Sequence, residues 1–283
     1  MTTTIRPSGP ETATPGGGRS RGYDVCVNGR VVGGLTLSAD GGAGPRSGGI
    51  SGLAVDRRDR GRGRGIIAVL AAEEVLRSWG CTRAEARVPA GLGEEAGLGL
   101  ARTLGYTLRS THMRKALPDQ PPPLPEGSTG RPLRADEYGS WLAAETQGYL
   151  GELVAHGLSF EEAGAKAYAD HAELLPQGLD TPDTVLSLLE SGDAGPVGSI
   201  WVHTRFRELP DGTPLAWVFD IVVDEAQRGR GHGRALMLLA ERECLARGVG
   251  QLGLNVFADN RTAQRLYASL GYTPFLHVLH KAL

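Results

Sequence analysis

Two segments of the chain combine arginine and glycine in a pattern that suits phosphate chemistry: Arg60-Gly-Arg-Gly63-Arg-Gly65 and Arg228-Gly-Arg-Gly231-His-Gly233. Each follows a short apolar run that reads as a strand, Leu53–Val55 or Ile221–Val223, and precedes a stretch of helical period. The first turn of a helix exposes unpaired backbone N–H groups and a partial positive charge. Glycine there lets an anion approach the backbone closely, and Arg228, Arg230 and Arg234 can add charge-assisted hydrogen bonds. Both segments therefore advertise a pyrophosphate site. A Walker-type site needs Gly-Lys-Ser/Thr, which does not occur. The dinucleotide fingerprint Gly-x-Gly-x-x-Gly fails in the second segment, where Gly229 and Gly231 are followed by Arg234. Gly63-x-Gly65-x-x-Ala68 fits only a looser form, outside a βαβαβ pattern. Arginine-glycine segments that bind RNA are longer, disordered and flanked by aromatics, whereas Arg60–Gly65 is wedged between a strand and a helix.

The elements around these segments repeat. Leu104-Gly-Tyr-Thr107 matches Leu270-Gly-Tyr-Thr273, and both blocks finish in Lys-Ala-Leu, at 115–117 and 281–283. Matching signals in one order at near-equal spacing indicate a tandem duplication. Tyr23–Leu37 reads as two strands around the hairpin dipeptide Asn28-Gly29. Val197–Arg205 and Leu215–Val223 read as strands separated by Pro210-Asp-Gly212. Gly233–Arg247 reads as a helix and Leu252–Phe257 as a strand. Asp259 or Asn260 then caps a helix with Ala263, Leu266, Tyr267 and Leu270 on one face, and Gly271 stops it. Asp136–Leu175 reads as two helices. The fold class is α/β of the α+β type. The expected divisions are a disordered leader at 1–21, a first domain at 22–117, a Pro-rich linker at 118–130 and a second domain at 131–283.

Composition narrows the function classes. The chain has 283 residues, 42 of them glycine, about twice the usual share of about 7%. A net charge of −2 argues against a globally basic nucleic-acid binder. No apolar run is long enough for a membrane helix, and the start lacks a signal-peptide pattern, so a cytoplasmic protein is expected. Cys26, Cys81 and Cys244 are odd in number and far apart, which implies neither a disulfide framework nor a zinc site. No acidic or thiol partner sits at metal spacing from His277 or His280, so no metal site is expected.

The second block resembles the GNAT superfamily of acetyl-CoA-dependent N-acetyltransferases. The resemblance rests on Arg228–Gly233 opening a helix and, about thirty residues on, on Asn260-Arg-Thr-Ala263-Gln-Arg-Leu266-Tyr267-Ala-Ser-Leu-Gly271-Tyr272. It covers Arg131–Leu283 fully and about Tyr23–Leu117 partially. It implies two GNAT-like domains, each a mixed, mostly antiparallel twisted sheet with flanking helices, in an arrangement similar to mycothiol synthase. It also implies that backbone groups of Ile221, Val222 and Val223 hold the pantetheine arm and acetyl carbonyl. On the same resemblance, Arg228, Gly229, Arg230, Gly231, His232, Gly233 and Arg234 would bind the pyrophosphate. The resemblance further implies that Asn260 contacts cofactor or amine, and that Tyr267 contacts the cofactor and protonates the departing thiolate. The acceptor must attack as a neutral amine, and Asp220 is the candidate base, with Glu145 or Glu152 as the fallback. Without the motif, Tyr267 would read as a core tyrosine, and Asp220 could instead satisfy backbone N–H groups near a bulge.

Aligned on the second copy, the first replaces Tyr267 by Ala101, Asn260 by Glu94 and Asp220 by Gly52. It also begins at the family's second strand. The expectation is a catalytically silent domain in which Arg60, Gly61, Gly63, Arg64 and Gly65 still hold CoA. The enzyme as a whole is then an acyltransferase acting on a primary amine, a peptide α-amine or a specialised-metabolite amine first, with the mycothiol precursor and antibiotic amines as rivals. A CoA-binding sensor or scaffold is the competing class. The partners are a small-molecule or peptide amine, with neither nucleic acid nor membrane, and a homodimer is allowed.

Overall fold

The computed structural model describes residues 2–41, 46–155, 157–209 and 211–283. In chain order the elements are β1 (Thr3–Pro7), β2 (Thr12–Thr14), β3 (Gly18–Val27), β4 (Arg30–Ala39), β5 (Arg46–Val55), α1 (Arg64–Ser78), β6 (Cys81–Pro89), α2 (Glu94–Thr103) and β7 (Thr107–Ala116). Then follow β8 (Ser128–Pro132), α3 (Ala135–Ala155), α4 (Phe160–Leu174), β9 (Thr184–Ser191), β10 (Pro196–Glu208), β11 (Pro214–Val223), α5 (His232–Ala246), β12 (Gln251–Phe257), α6 (Arg261–Ser269) and β13 (Thr273–Ala282). Pro210, expected in a turn between β10 and β11, and Met1 of the leader lie outside the described residues.

The chain forms two compact units. The first comprises Met1–His112, Val256–Asn260 and Pro274–Leu283; the second comprises Met113–Asn255 and Arg261–Thr273. In the first, the sheet runs β1-β3-β4-β5-β6-β13. Asn28 and Gly29 take positive φ (47° and 86°) at the β3–β4 hairpin, as its twist requires. β5 and β6 are parallel and α1 crosses between them, burying Ala68, Val69, Ala72 and Leu76 on the sheet. The strand beside β6 is β13, from the far end of the chain, pairing antiparallel from Leu276↔Pro89 to Ala282↔Arg83. The first unit is thus completed by the last strand of the second repeat.

Among the described residues, 2–21 are not a disordered leader. Thr3–Pro7 pairs with Tyr23–Val27, and Ile5 packs against the first unit's core. The β-branched run Thr-Thr-Thr-Ile supplies strand propensity that a polar composition conceals. The first copy therefore does have a strand ahead of β3, although helices equivalent to α3 and α4 are absent there among the described residues.

In the second unit, β12 and β11 are parallel, and β11, β10, β9 and β8 continue antiparallel. Ser128–Gly130, expected at the end of the linker, already belong to β8 and pair with Leu189–Ser191. Gly130 lets β8 approach α5 closely there, because a Cβ would sit 2.3 Å from the end of the Leu239 side chain. α3 and α4 pack over a cluster of Leu133, Leu175, Leu186 and Trp201. Glu162 closes a capping box at the start of α4 and is not a free surface charge: Ser159 Oγ accepts from its N–H at 3.2 Å, and its carboxylate accepts from Ser159 N–H at 2.9 Å. Among the described residues no helix is long and apolar enough to cross a membrane.

Candidate active site

Both glycine segments build the same loop. In the second unit Gly229 and Gly231 adopt φ of 78° and 86°, and α5 starts at His232 with no side chain capping it. In the first, Gly61 and Gly63 adopt 70° and 71°, and α1 starts at Arg64, again uncapped by a side chain. Such left-handed turns are strained for residues with a Cβ, and they leave successive N–H groups facing outward as an anion nest. Gly233 and Gly65 have another job. A Cβ there would stand 3.3 Å from Leu266 and 3.4 Å from Leu100 respectively, so glycine lets α5 and α1 approach the neighbouring helix.

The arginines differ in their placement. Arg228 Nε donates to Val223 O at 3.3 Å and Arg60 Nε donates to Val55 O at 2.7 Å, so both tie the loop back to the end of its strand. Arg234 donates to Ser269 Oγ at 2.5 Å and Arg230 is exposed. Arg64 is turned inward, where it pairs with buried Asp59, which also accepts from Arg30 at 3.1 Å. His232, at the same position in the second copy, is buried as well.

Behind each loop the parallel strands part. The β11–β12 ladder ends at Val218↔Leu254, while β11 runs on through Ile221, Val222 and Val223, paired on its other side to Ile200, Ser199 and Gly198. A bulge at Phe219 lets Asp220 oppose Trp201. The first copy repeats this: the β5–β6 ladder ends at Ile50↔Ala86, and β5 is irregular opposite Gly34–Thr36, at Gly52. A cleft of about 1080 Å³ opens there, bounded by β5, the loop, α1, β6 and α2.

In the second unit the parting strands lie beside an acidic cluster. Burial raises the Asp220 carboxyl from 3.8 to about 6, against the Ile221 N–H bond that lowers it, with Glu152 adding to the rise. Burial also raises Tyr267 to about 12, helped by the charges of Asp220 and Glu152. Glu145 is pushed up to about 8 by burial first, then by Asp220 and Glu152. Glu145 and Glu152 are seven residues apart on α3 and share a face. Asn260 stands just before α6, its N–H donating to Phe257 O at 3.2 Å, and is counted with the first unit.

One residue of this cluster is missing from the sequence reading. His171 of α4 is buried, with Nε2 against Glu145 Oε2 and Nδ1 2.6 Å from Ala167 O. A carbonyl only accepts, so Nδ1 carries a hydrogen and a single proton lies between Nε2 and the Glu145 carboxyl. The imidazole stacks on Trp201 at 5.7 Å, and Trp201 adjoins Phe219 at 4.9 Å and Trp141 at 5.9 Å. The available signal is the α4 spacing Ala163, Ala167, His171, which places the histidine on the helix's buried stripe. His277 has a structural place in the first unit, between Thr111 Oγ1 (3.2 Å) and Glu94 Oε1 (2.9 Å). Among the described residues no group of three His, Cys, Asp or Glu could hold a metal.

Comparison with known proteins agrees with this geometry. Residues 9–106 and 155–272 match the Acetyltransferase (GNAT) family, together well over half the chain. An uncharacterized N-acetyltransferase of Bacillus subtilis, YycN, is 31% identical, covering 54% of this chain and 96% of its own. A mycothiol acetyltransferase of Nocardioides is 30% identical over 78% of this chain and 75% of its own. A tandem GNAT protein from the clavulanic acid biosynthesis pathway shares the fold, with a TM-score of 0.51 and 22% identity over 95% of this chain and 85% of its own. Members of the family generally use acetyl-CoA. The chain belongs to the GNAT family as an N-acetyltransferase built of two GNAT copies in tandem.

Proposed function

We propose that the second unit transfers acetyl from acetyl-CoA to a primary amine, directly and without an acyl-enzyme, and that the first unit binds CoA without turnover. The observation that carries this reading is a contrast at matched positions. The charge of Asp220 helps to raise Tyr267 in the second unit, and the first has Gly52 and Ala101 in their place. When bound, acetyl-CoA supplies the activated carbonyl and a thiolate leaving group.

The residues fit that ligand. Four left-handed glycines form two nests suited to a pyrophosphate, flanked by Arg228, Arg230 and Arg234 in the second. The unpaired edge of Ile221–Val223 offers backbone donors and acceptors to an extended amide chain, as a partner strand would. Asp220, with a carboxyl near 6, is ionised at neutral pH and takes the proton that the attacking amine loses. Tyr267, held protonated by its surroundings, gives its proton to the departing sulfur. Burial and the neighbouring charges of Asp220 and Glu152 keep Glu145 neutral, so that a third negative charge does not form beside Asp220. Asn260 lies at the start of α6 as a contact for cofactor or amine.

The acceptor class rests on the neighbours of the site. Tyr138 and Trp141 of α3 meet Trp201 and Phe219 in one aromatic cluster, which suits an amine carried on a larger body. Among such amines, the mycothiol precursor is favoured by the name of relatives such as that from Nocardioides, and a peptide α-amine is the second choice. The test is acceptor-dependent thiol release from acetyl-CoA across a panel containing both, with a mass gain of one acetyl group on the acceptor. Tight CoA binding with no acceptor-dependent release from any amine would identify a sensor or scaffold instead.

A further inference from the structure

The two copies differ at the positions of the reacting pair. In the first unit Gly52 and Ala101 line the cleft, at the positions of Asp220 and Tyr267 in the second, and a Cβ built on Gly52 would meet no atom within 4 Å. The correspondence is structural as well as sequential. Tyr106 N–H donates to Ala101 O at 3.0 Å, and Tyr272 N–H donates to Tyr267 O at 3.0 Å, one turn beyond each site. Replacing a phenol by a methyl and a carboxymethyl by hydrogen removes both reacting groups and leaves space in their place. Ile50, Val69, Val88 and Leu104 line the same cleft, whose volume of about 1080 Å³ lies just above the roughly 300–1,000 Å³ of small-molecule sites. An acetyl group would leave the space opened at Gly52 and Ala101 unfilled. Each added methylene that enters it gains affinity by about fourfold.

We infer that the first unit is a holding site for the CoA thioester of an unbranched, medium-length acyl chain, which it binds and does not consume. The inference rests on the reading that the Arg60–Gly65 loop receives a pyrophosphate. It adds the class of acyl group and the reason for the missing catalytic pair. Asp59, the one carboxylate lining the cleft, is buried between Arg30 and Arg64 and is not available as a base.

The experiment uses the full-length chain carrying Tyr267→Phe, so that no acyl group is lost during the measurement. Calorimetric titration with free CoA, acetyl-CoA and hexanoyl-CoA is expected to give two equivalents of each. At one site hexanoyl-CoA should bind at least tenfold more tightly than acetyl-CoA. Gly63→Val should abolish that preference and Gly231→Val should leave it. Ala101→Tyr, which restores the second copy's side chain, should cancel the preference while two equivalents of free CoA still bind. Leu104→Phe narrows the same space from another position, should Ala101→Tyr disturb α2. Two equivalents with equal affinity for acetyl-CoA and hexanoyl-CoA would overturn the chain-length inference and leave the loop reading standing. A single equivalent for every ligand, unaffected by Gly63→Val, would overturn the loop reading itself and the inference with it.

Discussion

Lys281 donates to both carboxylate oxygens of Glu73, at 2.9 Å each, with its ammonium 5.5 Å from the Tyr106 ring. The second unit holds the same triad: Lys115 donates to Glu241 at 2.7 and 2.8 Å and lies 5.6 Å from the Tyr272 ring. In each unit the glutamate and tyrosine come from one repeat and the lysine from the other. Two of the chain's three lysines are spent on this exchange. Glu73 and Glu241 are fully buried, so each lysine neutralises a charge that burial would otherwise penalise.

Lys281→Met is therefore expected to destabilise the first unit by about 3–5 kcal/mol, the cost of removing the near partner of a buried carboxylate, whose other cation, Arg77, stands 4.0 Å away. Adding Glu73→Leu should recover much of the loss. Thermal denaturation of the two variants, read by tryptophan fluorescence and circular dichroism, checks this. A single variant as stable as wild type would contradict it.

Asp220→Asn should lower kcat/KM by roughly a hundredfold to ten-thousandfold. In the wild type the reactive form is ionised, so kcat/KM should rise as pH climbs through about 6, the raised value of this carboxyl. A pH–rate profile without that acid limb would remove Asp220 from the role of base.

Glu145 titrates at about 8 in the fold against 4.5 ordinarily. A raised carboxyl contributes stability that is fully present below the lower value and is lost as pH rises through the higher one. The melting temperature should accordingly fall between these two pH values. Glu145→Gln, which still donates to His171 Nε2 through its amide, should flatten that slope. An unchanged slope in the variant would show that other groups set it.

Gly231→Val forces a branched side chain into φ of 86°, a strain of about 1–3 kcal/mol. It also covers part of the amide nest. The expected effect is a rise of roughly tenfold or more in KM for acetyl-CoA, with a smaller change in kcat. Steady-state kinetics at saturating amine checks the split.

The loops were legible because glycine has a backbone reason to be there, and α6 because its apolar spacing is unambiguous. The place of β13 in the first unit's sheet was not. Thr107–Ala116 and Thr273–Ala282 carry equivalent patterns and the same terminal Lys-Ala-Leu, so each would satisfy either sheet, and local periodicity cannot say which neighbour a strand takes. β1 was hidden for a similar reason, since an edge strand needs backbone partners more than apolar side chains. His171 lies 26 residues from Glu145, and only the packing of α3 on α4 brings the imidazole to the carboxyl. Arg64 was read as a phosphate ligand from its place in the loop, and it took the buried Asp59 to show it facing inward.

The central claim is that one copy reacts and that Tyr267 is its acid. The most direct test is the turnover of Tyr267→Phe, measured as thiol release from acetyl-CoA with a responsive amine and set beside the binding of free CoA. The expected result is a kcat reduced by roughly a hundredfold or more, with CoA affinity unchanged and the acid limb near 6 retained. Full turnover by Tyr267→Phe would contradict the assignment.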